Sequence, residues 1–293
     1  MLHLVTICAG DAVPRRNFNA QVHSVFSSAA NLRPAKSSRL LSLLTAAQLD
    51  LPQGLRLNTP PGFSFESLRI GENVTCRDGL LHFEHSLLTI DLRPAVRWKC
   101  DLPALAAHMQ DPSVLAAWQL VAQILDARRA RSAAGLPAGQ LAASTRMDAG
   151  INGLVSATRR CDLAATGQVA GLIGLGPGLT PSGDDFLVGY LAGLWCAAGI
   201  SQPRVEFLSA LGKAVVRLSR RTNDISRTYL YHAAHGQVSS RLTSLTRAIC
   251  RAARSNLLQA AAEAALQVGH DSGAHLVRGL LLGLSAWDGH LSL

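Results

Sequence analysis

The spacing of apolar positions changes near residue 103. Before it, short and partly alternating apolar segments are bounded by Pro, Gly, Asn or Asp, which predicts β-strands. These segments are Gly54–Asn58, Ser67–Ile70, Leu80–Phe83 and Leu87–Leu92. The Asp-Gly pair at 78–79 predicts a hairpin between two of them. A single isolated helix is predicted over Ser38–Gln48.

After residue 103 apolar side chains recur at helical spacing, which predicts helices. The sets are Val114, Trp118, Val121 and Leu125, then positions within Val205–Leu218 and Leu242–Leu266, with a connecting loop at Ala133–Gln140. Two more apolar stretches, Phe186–Ile200 and Leu276–Trp287, are too short and Gly-rich to cross a bilayer and predict buried core helices. The chain is therefore predicted to be α+β. A β-rich N-terminal domain (1–102, a small antiparallel sheet or barrel) precedes a mostly α-helical domain (103–293).

The decapeptide Gly-Pro-Gly-Leu-Thr-Pro-Ser-Gly-Asp-Asp at 176–185 stands directly before one of these helices. Gly176 and Gly178 permit positive φ angles, and the two prolines stiffen the chain. Such a loop can present backbone N–H groups and polar side chains to a small ligand at a helix start. The plainer alternative is a capping box made by Ser182 and Asp185, because a well-capped helix requires nothing more.

Composition narrows the function classes. With 48% apolar and 16% charged residues the 293-residue chain is predicted to fold. Its net charge of +9 comes from dispersed arginines with few aromatics nearby. This pattern favours an ordinary solvated surface, or attraction of anionic substrates, over nucleic-acid binding. Six scattered cysteines without a C-x-x-C pair indicate reduced, mostly buried thiols, no zinc site and a cytoplasmic location. No segment is predicted to cross a membrane.

A second loop, Gly269-His-Asp-Ser-Gly-Ala-His275, precedes the other core helix. Ser182-Gly183 and Ser272-Gly273 are 90 residues apart (272 − 182), and the following Gly-x-x-x-Gly pairs keep this offset. Two related loop–helix units that approach closely are one interpretation; coincidence in a Gly- and Leu-rich chain is the other. His270 has the pKa range for acid–base work or anion binding, although a lone His is more often structural.

The carboxylates of Asp184 and Asp185 would repel a bare phosphate at this helix start. A phosphate ligand would need Mg²⁺ or Arg beside them, or an amide or ammonium group of the ligand would meet them. A third polar segment, Thr222–Ser226, has Asn223 or Asp224 as a helix cap. His23 is polar enough to join a site but stands in no specific pattern.

Taken together, three segments resemble the AllH family: the motif at 174–185, the helix at 226–236, and Gly-His-x-Ser-Gly at 269–273. The resemblance covers about residues 20–285. The family includes a subunit of oxamate carbamoyltransferase from anaerobic allantoin breakdown. That enzyme interconverts oxalurate plus phosphate with oxamate plus carbamoyl phosphate, and it works with two partner subunits, one of them FdrA-like.

The resemblance implies a site with two walls, one formed by Gly176, Gly178, Thr180, Ser182, Asp184 and Asp185 and the other by Gly269, His270, Ser272 and Gly273. From residue type and loop context, Asp184, Asp185 and His270 are the catalytic candidates. The other wall residues are ligand-binding candidates, and Gly183, Ser226 and His23 are added to them. The chain departs from the family pattern at Asp271 and His275, where Thr and Asp are usual. By the 90-residue offset His275 corresponds to Asp185, so a carboxylate–imidazole pair is expected.

The leading functional hypothesis is a carbamoyltransferase subunit in purine catabolism. It would act in a cytoplasmic heteromeric complex with an FdrA-like partner, on a small anionic or amide substrate such as carbamoyl phosphate or oxamate. One alternative is a stand-alone Mg²⁺-dependent enzyme on a phosphate ester or glycoside, with Asp184 and Asp185 as metal ligands. The other is a non-catalytic ligand-binding or scaffold subunit, which the altered second loop would suit.

Overall fold

The computed structural model describes residues 2–105, 109, 111–133, 138–269 and 271–288. The chain divides into two compact units, residues 1–100 and 101–293. Within the described residues, strands fill the first unit and α-helices the second. The predicted α+β layout is therefore confirmed.

The N-terminal unit is a β-barrel. Its strands are β1 Leu2–Gly10, β2 Phe18–Val25, β3 Ala29–Pro34, β4 Leu41–Leu44, β5 Gly54–Leu57, β6 Asn73–Arg77, β7 Leu80–Phe83, β8 Leu88–Asp91 and β9 Val96–Trp98. They follow the order β5-β4-β3-β2-β6-β7-β8-β1-β9, and pairing of β5 with β1 closes the barrel. β1 runs parallel to β8 and β9, and β4 to β5, while the other neighbours are antiparallel. Leu32, Leu55 and Ile90 are fully buried in its core.

Three of the four predicted strands are confirmed as β5, β7 and β8, within a residue or two at their ends. The hairpin between β6 and β7 is confirmed as well. Its central residues Asp78 and Gly79 have φ angles of 49° and 78°, and positive φ at both positions is what a type I′ turn requires.

Two predictions in this unit are wrong. Ser67–Ile70 is not a strand: a 3-10 helix, Phe65–Ser67, is capped by Ser64 and followed by a turn. Ser38–Gln48 is not a helix, because it contains strand β4. All four residues of β4 are buried, and the strand hydrogen bonds to β3 on one side and β5 on the other. Pairing on both edges outweighs a local preference for helix in so short an apolar run.

The C-terminal unit is helical. Its helices are α1 Pro112–Ala133, α2 Ala138–Arg159, α3 Ala165–Leu172, α4 Ser182–Ala197, α5 Gln202–Leu218, α6 Asp224–Ala234, α7 Ser240–Cys250, α8 Ser255–Leu266 and α9 Ser272–Ser285. The helices predicted around Val114, within Val205–Leu218 and from the two apolar stretches are confirmed as α1, α5, α4 and α9. The pattern at Leu242–Leu266 belongs to two helices, α7 and α8, separated by a turn in which Ala252 has a φ of 47°.

The predicted loop at Ala133–Gln140 is wrong at its C-terminal end, because α2 already begins at Ala138. Residues 134–137 of that prediction lie outside the described part of the chain.

All six cysteines are free thiols, and four of them are buried: Cys8, Cys76, Cys196 and Cys250. Among the described helices, none combines the length and the apolar character needed to span a membrane.

The centre of the helical unit is a close pair, α4 and α9, that crosses at glycines. A Cβ atom on Gly189 would lie 1.9 Å from the carbonyl oxygen of Leu276, and one on Gly279 would lie 2.1 Å from that of Phe186. Gly279 lies 90 residues after Gly189, and Leu276 lies 90 residues after Phe186. The two contacts therefore occupy equivalent positions in the internal repeat. The next pair, Gly193 with Leu280 and Gly283 with Tyr190, repeats the relation at 2.5 and 2.3 Å. The internal repeat is thus a pair of helices packed backbone to backbone, as its small residues allow.

Candidate functional site

The loop between α3 and α4 depends on its glycines. Gly174, Gly176 and Gly178 have φ angles of 74°, 112° and 91°, which other residues rarely adopt. A Cβ on Gly176 would lie 2.8 Å from the backbone nitrogen of Ser182, whereas a Cβ on Gly178 would meet no atom within 4 Å. Gly176 therefore lets the loop fold against the helix start, and Gly178 borders open space.

The predicted capping box at the start of α4 is wrong. Pro181 is the cap residue, Ser182 is already helical, and no side chain caps the helix. The Pro181 carbonyl oxygen accepts hydrogen bonds from the N–H groups of Asp184 and Asp185, at 2.9 and 3.0 Å. The Gly183 N–H donates to the carbonyl oxygen of Leu175 at 2.8 Å. These three N–H groups are occupied within the protein, so they are not available as backbone donors for a ligand.

Asp184 joins the loop to another helix. Its side chain is 1% exposed, and its Oδ1 accepts a hydrogen bond from the Gly174 N–H at 2.8 Å. Its Oδ2 accepts one from the Thr222 hydroxyl, just before α6, at 2.5 Å. Burial raises the pKa of Asp184, and the hydrogen bonds from Thr222, Gly174 and Ser226 oppose that rise. Both oxygens are thus held by protein donors, which suits a positioning role.

The third predicted segment docks on the same loop. Asn223 caps α6 as predicted, because its Oδ1 accepts from the N–H groups of Ile225 and Ser226, each at 3.0 Å. Its Nδ2 donates to the carbonyl oxygen of Leu179 at 2.9 Å. The Ser226 hydroxyl reaches the same oxygen at 3.5 Å. The start of α6 therefore fixes the tip of the glycine loop.

Asp185 has a different environment from its neighbour. It is 7% exposed, and its Oδ2 has no hydrogen-bond partner among the described residues. Burial raises the pKa of Asp185 to about 7; the Ser272 and Thr180 hydroxyls lower it, and the charge of Asp184 raises it further. The hydroxyl oxygens of Thr180 and Ser272 lie 2.8 Å apart. A buried carboxylate oxygen without a partner is costly, so Asp185 keeps an unsatisfied acceptor that Asp184 does not have.

Tyr229 is a residue of this region that sequence reasoning placed on a helix but not in the site. Burial raises the pKa of the Tyr229 phenol to about 12, and the nearby charge of Asp185 raises it further. Ser226 and Tyr229 are three residues apart on α6, so they share a face of the helix. That spacing is the signal that would have indicated Tyr229 once Ser226 was a candidate.

The structure brings most of the predicted residues of the helical unit together. Thr180, Asp184, Asp185, Ser226 and Ser272 converge through the contacts above. Gly176, Ser182 and Gly183 shape the loop behind them, and a Cβ on Gly183 would lie 2.0 Å from the carbonyl oxygen of Leu172.

The remaining predicted residues belong to the second loop, before and at the start of α9, or to the N-terminal unit. Gly269 has a φ of 60° just before α9, and a Cβ on Gly273 would lie 2.6 Å from two carbonyl oxygens of α8. His270 lies outside the described residues. His23 lies on β2 of the N-terminal unit, where its Nδ1 is 3.1 Å from the Ser24 hydroxyl oxygen. Its membership of the site stays a prediction.

Two family models match the chain. One, described as oxamate carbamoyltransferase subunit AllH, matches residues 172–284. The other, described as the AllH family N-terminal domain, matches residues 4–97. The chain belongs to the AllH family. No solved structure matches it significantly. The first match begins at the glycine loop and ends within α9, so the AllH model spans the whole region in which Asp184, Asp185, Ser226 and Ser272 converge.

His275 is one of the two positions at which the chain departs from the AllH pattern, and the expected carboxylate–imidazole pair with Asp185 is not seen. Burial lowers the pKa of His275, and Arg278 and Arg129 lower it further, whereas Asp271 and Asp148 raise it. Asp185 is not among the charged groups that act on it. Arg278 instead pairs with Asp148 of α2, Nη1 to Oδ1 at 2.7 Å. The offset that relates the two positions in sequence therefore does not make them partners.

The two adjacent carboxylates do not form a chelating pair. Both oxygens of Asp184 accept hydrogen bonds from the protein, whereas Oδ2 of Asp185 has no partner among the described residues. Across the described part of the chain no three His, Cys, Asp or Glu side chains form a group that could hold a metal ion. Mg²⁺ in proteins commonly needs substrate phosphate oxygens in addition to one or two carboxylates, so any Mg²⁺ here would depend on a bound substrate.

The raised pKa of Asp185 has a consequence for stability. An acid with a pKa of about 4 in the unfolded chain and about 7 in the folded one makes folding less favourable as pH rises between these values. Asp185→Asn removes the ionisation. We expect its effect on the free energy of unfolding to be more stabilising at pH 8 than at pH 5 by about 2 kcal/mol.

Urea denaturation of both proteins at the two pH values measures this difference. The exposed Asp126 on α1 offers the matched control, and Asp126→Asn should change stability equally at both. If Asp185→Asn changed the free energy of unfolding by the same amount at pH 5 and at pH 8, Asp185 would be shown to ionise normally.

Proposed function

We propose that this chain is a subunit of a carbamoyltransferase that moves a carbamoyl group between phosphate and oxamate. The observation that carries the proposal is the buried Asp185 carboxylate, with an unpartnered oxygen, in a region matched by the model of the oxamate carbamoyltransferase subunit. A proton acceptor with a pKa near 7 is what attack by an amide nitrogen requires.

The proposed reaction exchanges one bond to the carbamoyl carbon for another. The amide nitrogen of oxamate attacks the carbonyl carbon of carbamoyl phosphate, and the bond from that carbon to the phosphate oxygen breaks. Phosphate leaves with the electron pair of that bond, the nitrogen loses a proton, and oxalurate is formed. Asp185 receives the proton, and in the reverse direction it returns it. The Ser272 and Thr180 hydroxyls orient the carboxylate.

Charge that develops on the carbonyl oxygen during attack needs hydrogen-bond donors. The N–H groups of Gly183, Asp184 and Asp185 are occupied within the protein, so we assign this role to the loop stretch Gly176–Thr180, where Gly178 leaves room for a ligand to approach. Asp184 holds that stretch in place through Gly174 and Thr222. His270 is a second candidate for proton transfer, and an Arg side chain would neutralise the phosphate.

The complex is part of the proposal. The family model names a subunit, and we propose that an FdrA-like chain completes the enzyme in the cytoplasm. The Mg²⁺-dependent alternative is less favoured, because protein donors already hold both oxygens of Asp184. The scaffold alternative predicts the same complex but no role for Asp185 in turnover.

Reconstitution tests the proposal directly. Phosphate release from carbamoyl phosphate in the presence of oxamate would be measured for this chain alone, for the partner subunits alone, and for all of them together. We expect turnover only in the complete mixture. Full turnover by the partners without this chain would contradict a catalytic role, and Mg²⁺-dependent turnover of phosphate esters by the chain alone would favour the stand-alone enzyme.

A further inference from the structure

The N-terminal unit contains a cavity of about 530 Å³ that no part of the proposed mechanism uses. Apolar side chains of the barrel form part of its lining. The polar part of the lining includes Arg15, Arg16, Arg93, Arg97, Asn17 and Asp78. Four arginines against one carboxylate among these residues make the cavity strongly basic.

The arginines differ in how their charge is balanced. Arg93 is held by Asp91 through two hydrogen bonds, Nε to Oδ1 at 2.9 Å and Nη2 to Oδ2 at 2.7 Å. Neither Arg15 nor Arg16 forms an ion pair with a described residue, and both are exposed. Arg93 therefore contributes little free charge, and Arg15 and Arg16 contribute most of it.

Arg97 is the most enclosed polar group of the cavity. Its Nη2 donates to the backbone oxygens of Asp11 and Val13, at 3.2 and 3.0 Å. Its Nε is buried without a hydrogen-bond partner among the described residues. Burial lowers the pKa of Arg97, and the positive charge of Arg15 lowers it further, while Asp11 acts in the opposite direction. A buried, unpaired guanidinium donor beside a second cation is unfavourable until an anion binds.

We propose that this cavity binds a small metabolite through a phosphate or carboxylate dianion, held by Arg97 and Arg15 with Arg16 close by. Guanidinium groups suit such ligands because their N–H donors match the spacing of phosphate and carboxylate oxygens. The cavity volume lies within the range of small-molecule sites. It exceeds what one dianion fills, so the apolar lining would contact a carbon skeleton. This site goes beyond carbamoyl transfer and does not depend on it.

Calorimetric titration of the full chain tests the proposal, with inorganic phosphate and malonate as separate probes at constant ionic strength. We expect saturable binding of at least one probe, and the better probe identifies the anion class. Arg15→Gln and Arg97→Gln should each weaken binding roughly tenfold or more, since each removes a charge-assisted hydrogen bond. The control Arg69→Gln, at an exposed arginine of the same unit outside the cavity, should leave binding unchanged.

Other variants locate the binding. Arg97 also ties two backbone carbonyls, so if Arg97→Gln fails to fold, Arg15→Gln and the exposed Arg16→Gln decide. Asp185→Asn alters the candidate carbamoyl-transfer site and should leave binding in the cavity intact. The proposal is overturned if neither probe saturates, if Arg69→Gln weakens binding as much as Arg15→Gln, or if Asp185→Asn abolishes it.

Discussion

Asp185→Asn is expected to lower kcat of the reconstituted carbamoyltransferase by roughly two to four orders of magnitude, the usual contribution of a positioned general base. Asn is nearly the same size as Asp and can keep its contacts with Thr180 and Ser272, but it cannot accept a proton. The raised pKa of Asp185, about 7, further predicts that kcat/KM of the unaltered enzyme rises as pH increases through about 7. Below that pH the base is protonated.

Phosphate release at saturating carbamoyl phosphate and oxamate measures this effect. The control Asp126→Asn removes an exposed carboxylate of α1 and should retain full turnover. If Asp185 had a purely structural role, kcat/KM of Asp185→Asn would depend on pH in the same way as kcat/KM of the unaltered enzyme. Full turnover by Asp185→Asn in the complete complex would remove Asp185 from the mechanism and favour a scaffold subunit.

Gly189→Ala should destabilise the helical unit by ~3 kcal/mol or more. The new Cβ would lie 1.9 Å from the carbonyl oxygen of Leu276, a backbone atom of α9. A flexible side chain could move away from the new Cβ. Because this oxygen belongs to the backbone, the clash is relieved only if α4 and α9 separate. That separation would disturb the buried helices at the centre of the unit. By the reciprocal contact, Gly279→Ala should have an effect of similar size.

Urea denaturation measures the loss, and Gly167→Ala provides the control. Gly167 is an exposed helical glycine on α3, and a Cβ there would meet nothing within 4 Å. Gly-to-Ala replacement at such a position reduces the entropy of the unfolded chain and is expected to stabilise by up to about 1 kcal/mol. If Gly189→Ala behaved like Gly167→Ala, the close packing of α4 on α9 would be refuted.

Local signals were sufficient wherever a feature depends on its own residues. The Asp-Gly turn predicted the β6–β7 hairpin, because only a few residue types adopt positive φ at both central positions. Asn223 or Asp224 was predicted as a cap for the same kind of reason, and Asn223 is the one whose side chain bonds to N–H groups two and three residues ahead. The Gly-x-x-x-Gly pairs predicted that two helices approach closely, and the contacts of Gly189 and Gly279 confirm this.

Local signals failed where distant neighbours decide. β4 was predicted as helix because its short apolar run fits either element, and its pairing with β3 and β5 settled the matter. The capping box failed because α4 already begins at Ser182, and the N–H groups of Gly183, Asp184 and Asp185 donate to carbonyl oxygens of Leu175 and Pro181 instead. The cavity arginines come from segments far apart in the sequence, so their clustering could not be predicted from charge spacing.

The sequence by itself determined that a rigid glycine loop with two carboxylates precedes a buried helix, since Gly, Pro and Asp have intrinsic conformational and charge properties. It did not distinguish Asp184 from Asp185. Tertiary structure alone did that. Donors from Gly174 and Thr222, ten and 38 residues away, satisfy both oxygens of Asp184. Asp185 is buried with one oxygen unpaired, and a buried carboxylate with fewer donors binds its proton more tightly.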